Sequence, residues 1–188
     1  MIAVAIDEAV DTIREFLDGI TYPVLVDADH LLTELYAISN VPTVVMIDED
    51  DRIVQPNWNA YATDTFKDFT GIDSGRQLDV IRRWILDGET MMTPDEARQA
   101  VGDLSPEEEQ ARLHFRIATR LRNGGDELGA ERNFERACEL APHDWTIRRA
   151  SMPLRGDDPF GENFFALYEE FNAAGRPYHG VAPSRPTS

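Results

Sequence analysis

Apolar residues in the first half of the chain follow two alternating patterns: short unbroken runs, and stretches where they recur every three or four positions. Ile2 to Ile6 is the first run, closed by Asp7, and predicts a buried strand. From Glu8 to Leu17 the apolar positions Val10, Ile13, Phe16 and Leu17 share a helical face opposite charged residues, and Asp18-Gly19 ends the helix. Tyr22 to Asp27 predicts a second strand, with Pro23 at the entry, where a missing N–H costs least. Leu31 to Ala37 makes about two helical turns. Val41 to Asp48 is nearly continuous in apolar residues, the pattern of a strand covered on both faces. Glu49 to Asp51 turns the chain, and Arg52 to Gln55 returns as the second strand of a hairpin. Asn57 to Ser74 reads as a loop carrying Trp58, Tyr61, Phe66 and Phe69, long enough that some rings must pack on the domain. Gly75 to Asp87 closes this unit as a helix with Leu78, Ile81, Trp84 and Ile85 on one face.

The pattern then changes. Residues 88–105 are punctuated by glycine and proline and predict a linker, within which Pro94 to Ala97 can seed a short helix. Ser105-Pro106-Glu107-Glu108 is a helix start: a serine cap, proline in the first turn, and acids facing the positive end of the helix dipole. One helix is predicted from Pro106 to about Arg122, ending at Asn123-Gly124-Gly125, and a second from Asp126 to Leu140, ending at Pro142. Weaker helical stretches follow at Trp145–Ala150 and Glu162–Ala174, and Gly180 to Ser188 reads as a loose tail.

Composition narrows the function classes. The 188 residues carry a formal charge of −17, which repels phosphate backbones and anionic membrane surfaces, so neither nucleic acid nor membrane is an expected partner. No apolar run approaches the roughly 20 residues that span a bilayer, and the first residues lack the basic, apolar and small-residue pattern of a signal peptide. That reading points to a cytoplasmic protein unless the natural N-terminus lies upstream of Met1. Cys138 is the one cysteine, so no intrachain disulfide or thiolate zinc site can form. His30, His114, His143 and His179 are scattered without ligand spacing, no phosphate-binding glycine loop is present, and no metal or cofactor is expected. Asp27, Asp29 and Asp48 are the carboxylates nearest to an acid–base or metal set, but aspartate at a strand end commonly forms the turn.

Read in order, Val4-Ala5-Ile6-Asp7, Tyr22-Pro23-Val24-Leu25-Val26-Asp27, the stretch from Tyr36 through Val41-Pro42-Thr43-Val44-Val45-Met46-Ile47-Asp48, and Arg52-Ile53-Val54 resemble the C-terminal two-thirds of the thioredoxin-like fold. The branch they resemble is that shared by TlpA/ResA-type proteins and the AhpC/TSA redoxins, over about residues 1–87. The resemblance implies that Pro42 is a cis-proline and that the backbone at Val41 pairs with extended peptides. It also implies a strand and helix ahead of Ile2–Ile6 that would carry the redox cysteines and occupy the middle of the sheet. These are absent from this chain, so open edges are expected on the Ile2–Ile6 and Val44–Ile47 strands. Open edges invite another strand, and pairing of two copies into a homodimer is one way to fill them.

Ala130, Phe134, Ala137 and Pro142 resemble the second helix and closing proline of a tetratricopeptide repeat, with Ala118 as the small residue of the first helix between apolar Ile117 and Leu121. His114 stands where such repeats carry tryptophan. Small residues there let two helices approach, and Phe134 fills the gap. Trp145, Phe164, Tyr168 and Phe171 are candidates for a protein-docking face, since Phe164, Tyr168 and Phe171 share one side of a helix. The sequence therefore predicts an α/β fold: a thioredoxin-like domain over 1–87, a linker over 88–105, a tetratricopeptide-like helical region over 106–179, and a tail over 180–188. Two functions follow, beside a third reading of a redox-dead family member whose upstream segment lacks cysteines. One is a non-catalytic protein or peptide binder. The other is part of a thiol–disulfide oxidoreductase or peroxide-reducing redoxin whose cysteines lie upstream.

Overall fold

The computed structural model describes residues 1–6, 10–59, 62–65, 67–70 and 73–175; the tail expected over 180–188 and the rings of Tyr61 and Phe66 lie outside the described residues. The protein is mixed α/β, with two strand pairs and a run of helices. Strand β1 (Ala3–Ala5) pairs in parallel with β2 (Val24–Val26), Val4 opposite Leu25. Between them α1 (Val10–Arg14) is shorter than its periodicity implies. Phe16 and Leu17 donate to carbonyls three residues back, tightening the last turn, and Phe16 is left 72% exposed. After β2, Asp27 caps α2 (Leu31–Leu35): its two carboxylate oxygens accept from the N–H groups of Leu31 (2.8 Å) and Thr33 (2.9 Å).

Strand β3 (Thr43–Ile47) runs antiparallel to β4 (Ile53–Asn59). The Val41–Pro42 peptide bond is cis. Strand β4 continues well beyond Gln55, taking in residues assigned by pattern to the loop. Two bulges make this possible: Pro56 and Asn57 together oppose Val45, and Val54 has no partner in β3. Proline lacks the ladder donor, so a bulge is where a strand tolerates it. The expected burial of β3 on both faces does not hold. Only Met46 is buried, and Ile47 is 38% exposed. The reason is the sheet itself: each pair stands alone, and among the described residues no strand lies beside the second edge of β1 or of β3.

Two short helices and one long one complete this half. α3 spans Lys67–Thr70, α4 Ser74–Asp87 and α5 Pro94–Val101. Helix α4 turns Gln77 and Val80 inward, with Ile81 and Trp84 half-buried beside them, while Leu78 and Ile85 are exposed. The buried stripe is rotated from the one expected, with Gln77 and Val80 turned inward in place of Leu78 and Ile85. The expected linker holds α5, started by a reciprocal capping box between Thr93 and Glu96, and α5 packs against β4 with Ala97 buried.

Helices α6 (Pro106–Asn123) and α7 (Glu127–Leu140) form an antiparallel hairpin. Ala111, Phe115 and Ala118 of α6 meet Ala130, Phe134 and Ala137 of α7, with the Phe115 and Phe134 rings edge to face at 5.8 Å. Ile117, expected at an apolar packing position, is 47% exposed and points away from this seam. His114 hydrogen-bonds Asn133 across the hairpin at 2.8 Å. Helix α8 (Trp145–Leu154) adds Ile147 to this core, and its other side joins α9 (Glu162–Ala173).

A polar stripe on α6 joins the two halves. Arg112 is buried and donates to the Glu34 carbonyl (2.6 Å) and to the Asp144 carboxylate (3.1 Å), with the Glu34 carboxylate 3.6 Å away. Arg116 donates to the other oxygen of Glu34, which is 2% exposed. Further along the same stripe Asn123 donates to Asp29 (2.7 Å) and to the Ala28 carbonyl (3.1 Å). Replacing Arg112 by methionine would leave two carboxylates buried with their shared cation gone. The expected loss is about 3 kcal/mol or more in urea-unfolding stability, and a loss below about 1 kcal/mol would show that this network does not join the halves.

Burial raises the Asp144 carboxyl above its ordinary 3.8, against the opposing pull of Arg112. The folded state thus holds this proton more readily than the unfolded chain. The contribution of Asp144 to stability is full at low pH and is lost as pH rises through the raised value. Asp144→Asn keeps the acceptor that caps Ile147 and removes the titration. The stability difference between the two proteins should shift in favour of the variant as pH rises above the ordinary carboxyl value of 3.8. A pH-independent difference would contradict the raised carboxyl.

Candidate functional site

The Val41–Pro42 corner sits between α2 and β3 and is built from both sides. Ala37 takes a left-handed backbone (φ 53°) that ends α2, and Ile38 donates back to the Thr33 carbonyl at 2.7 Å. Asn57 of β4 donates its side-chain amide to the Ala37 carbonyl, pinning the loop to the hairpin. Thr43 Oγ1 donates to the Asn40 carbonyl (2.7 Å), closing the turn into β3. On this frame Val41 is 57% exposed and Pro42 is exposed beside it. The corner therefore leads directly into the open edge of β3. An open edge offers a row of N–H donors and C=O acceptors, and its chemistry is pairing with another extended backbone.

The carboxylates are spent on structure. Both oxygens of Asp27 accept from α2 N–H groups. Asp48 Oδ1 accepts from the N–H groups of Asp50 (3.0 Å) and Arg52 (2.9 Å), and Asp29 is held by Asn123 and Arg120. No group of three or more His, Cys, Asp or Glu among the described residues is arranged to hold a metal ion. Cys138 is half-buried on α7, and burial pushes its thiol up. Loss of solvent dominates, and Arg148 and Arg155 pull the other way. A thiol held in its protonated form is a poor nucleophile. A shallow groove of about 470 Å³ lies at the turn end of the α6–α7 hairpin, floored by Ala130, Phe134 and Leu154. Of the arginines that line it, Arg155 pairs with Glu131.

Four other candidates are corrected. Trp145, Phe164 and Phe171 are buried (3%, 4% and 1% exposed), and Tyr168 is half-buried against them. They form the seam between α8 and α9: the Trp145 and Phe171 rings meet edge to face at 4.8 Å, Tyr168 stacks on Phe164, and Arg149 lies over the Phe164 ring at 5.0 Å. These rings close a core and present no docking face. The ring on the open side is Phe165, 50% exposed. Residues missed by pattern are Gln55 and Asn57, each 6% exposed, whose Oε1 and Oδ1 have no hydrogen-bond partner among the described residues. The signal available was the polar alternation Gln55-Pro56-Asn57 continuing a strand, masked by the proline.

Phe164→Ala should cost about 3–5 kcal/mol in urea unfolding, while Phe165→Ala should cost under about 1 kcal/mol. Equal small losses would reopen the aromatic stripe as a surface.

No helix among the described residues is long and apolar enough to cross a membrane. In comparison with known proteins, no family model, no curated protein and no solved structure matches this chain.

Proposed function

We propose that this chain acts by binding other proteins, without catalysis, and that it does so by accepting an extended segment of a partner along the open edge of β3. One observation carries this reading: β3 is paired on one side only, and the exposed Val41–Pro42 corner leads into its free side. The reading treats the first half as a thioredoxin-like unit lacking its central strand and the second as a tetratricopeptide-like hairpin. The order of the elements supports the first, and the burial of Ala118, Ala130, Phe134 and Ala137 supports the second. The half-buried, protonated Cys138 speaks against thiol turnover by these residues. The same open edges also suit the second reading, a redox protein whose cysteine-bearing strand comes from elsewhere in a longer chain.

The test is amide hydrogen exchange at residues 43–47 with and without a synthetic nine-residue peptide of alternating valine and threonine. Binding should slow exchange there. Val45→Pro removes a ladder donor and should weaken the peptide at least tenfold, while an unchanged helical circular dichroism signal reports an intact helical half. Ile47→Lys, at an exposed position, should weaken it without affecting the fold. Protection elsewhere, unchanged by either variant, would overturn the reading. Disulfide reduction that disappears in Cys138→Ser would overturn its non-catalytic part.

A further inference from the structure

We infer that the partner segment taken up on β3 is cationic at one end, carrying lysine or arginine beside the 48–51 turn and apolar residues toward Val41; this rests on the strand-capture reading above. The edge itself selects the location. Strand β4 offers no comparable edge, because Pro56 lies within it and α5 packs against it. Strand β1 has three residues against five in β3, so β3 can present the longer ladder.

The two ends of β3 differ in chemistry. At its start stand exposed Val41 and Pro42. At its end the chain runs Asp48-Glu49-Asp50-Asp51-Arg52, four carboxylates against one cation. Asp48 is used by the turn, and Asp50 pairs with Arg52 at 3.1 Å. Glu49 and Asp51 are exposed, and neither makes an ion pair among the described residues. A strand laid beside β3 sits about 4.8 Å from it. A long basic side chain at the matching end is then within reach of both carboxylates.

Net charge decides between the occupants. A second copy of the chain carries another net −17, so like-charge repulsion opposes the homodimer. The same field favours a basic segment, steering its approach and fixing its direction along the edge.

The experiment is fluorescence anisotropy with three labelled peptides that share one alternating valine–threonine core and end in Lys-Arg, in Ser-Ser or in Glu-Glu. The basic peptide should bind about tenfold tighter than the acidic one at low salt, and the gap should close as salt is raised. The double variant Glu49→Gln, Asp51→Asn should lower the affinity of the basic peptide about fivefold and leave the serine peptide unchanged. Asparagine tolerates the left-handed backbone at position 51 (φ 59°), so the turn is retained. Equal binding of the basic and acidic peptides, with Val45→Pro still abolishing both, would overturn the cationic partner and leave strand capture standing. Failure of all three peptides with a monomeric chain in sedimentation would overturn both. A dimer whose residues 43–47 are protected from exchange would overturn the cationic partner in favour of a second copy.

Discussion

Arg112 lies between two carboxylates that come from opposite halves of the protein, Glu34 on α2 and Asp144 at the cap of α8. A guanidinium presents donors in a fixed fork, so one side chain can hold both acceptors at set angles. Burial makes the arrangement strongly conditional. Each charge is costly to keep out of water alone, and the cost is offset only while all partners are in place. Much of the architecture follows. Helix α2 has five residues and could not hold a position by itself. With Asp27 fastening its start and α6 fastening Glu34, it becomes the fixed base from which the Val41–Pro42 corner projects.

The helical half supplies the rigid side of that junction. Its seam is built from small residues with two phenylalanines between them, so α6 and α7 approach closely along their length. One face of α6 is used for this and the next for the arginine stripe, Arg112, Arg116 and Arg120 at four-residue spacing, continued by Asn123. A helix that packs on two faces cannot roll to improve one contact without breaking the other. The α8–α9 aromatic seam then closes the far side, fixing Asp144 where Arg112 meets it.

Much of this was legible in the sequence. The cap at Ser105, the glycine stop after α6 and the proline after α7 are local chemistry, and local chemistry reads directly from residue order. The small–large spacing of Ala118, Ala130, Phe134 and Ala137 was legible for the same reason. What escaped is what depends on contacts distant in sequence. The inward face of α4 is centred on Gln77, a residue that no hydrophobic pattern would select. Strand β4 passes through Pro56 because a bulge removes the need for its N–H. Phe164 and Tyr168 form a helical stripe that suits a surface or a core equally, and only the arrival of Trp145 from α8 decides it. The Glu34–Arg112–Asp144 network spans both halves, and charged residues in a sequence carry no mark of burial. At the candidate site, Val41 and Pro42 were legible as a corner; the support from Asn57, 20 residues away, was not.

An open strand edge is a hazard, because it can template pairing with another chain, so its persistence needs a physical account. Here several features limit indiscriminate pairing. β1 is three residues long and β3 five, which keeps each ladder short. The two bulges in β4 increase the local twist and disfavour flat stacking. The 48–51 turn sets a cluster of negative charge at one end of β3, within a chain already at −17. Each of these weakens pairing with a like-charged or flat edge. None of them removes the N–H and C=O groups of β3 themselves. On the strand-capture proposal, the features that keep β3 from its own kind leave it open to a strand of opposite charge, so protection and recognition would share one set of residues.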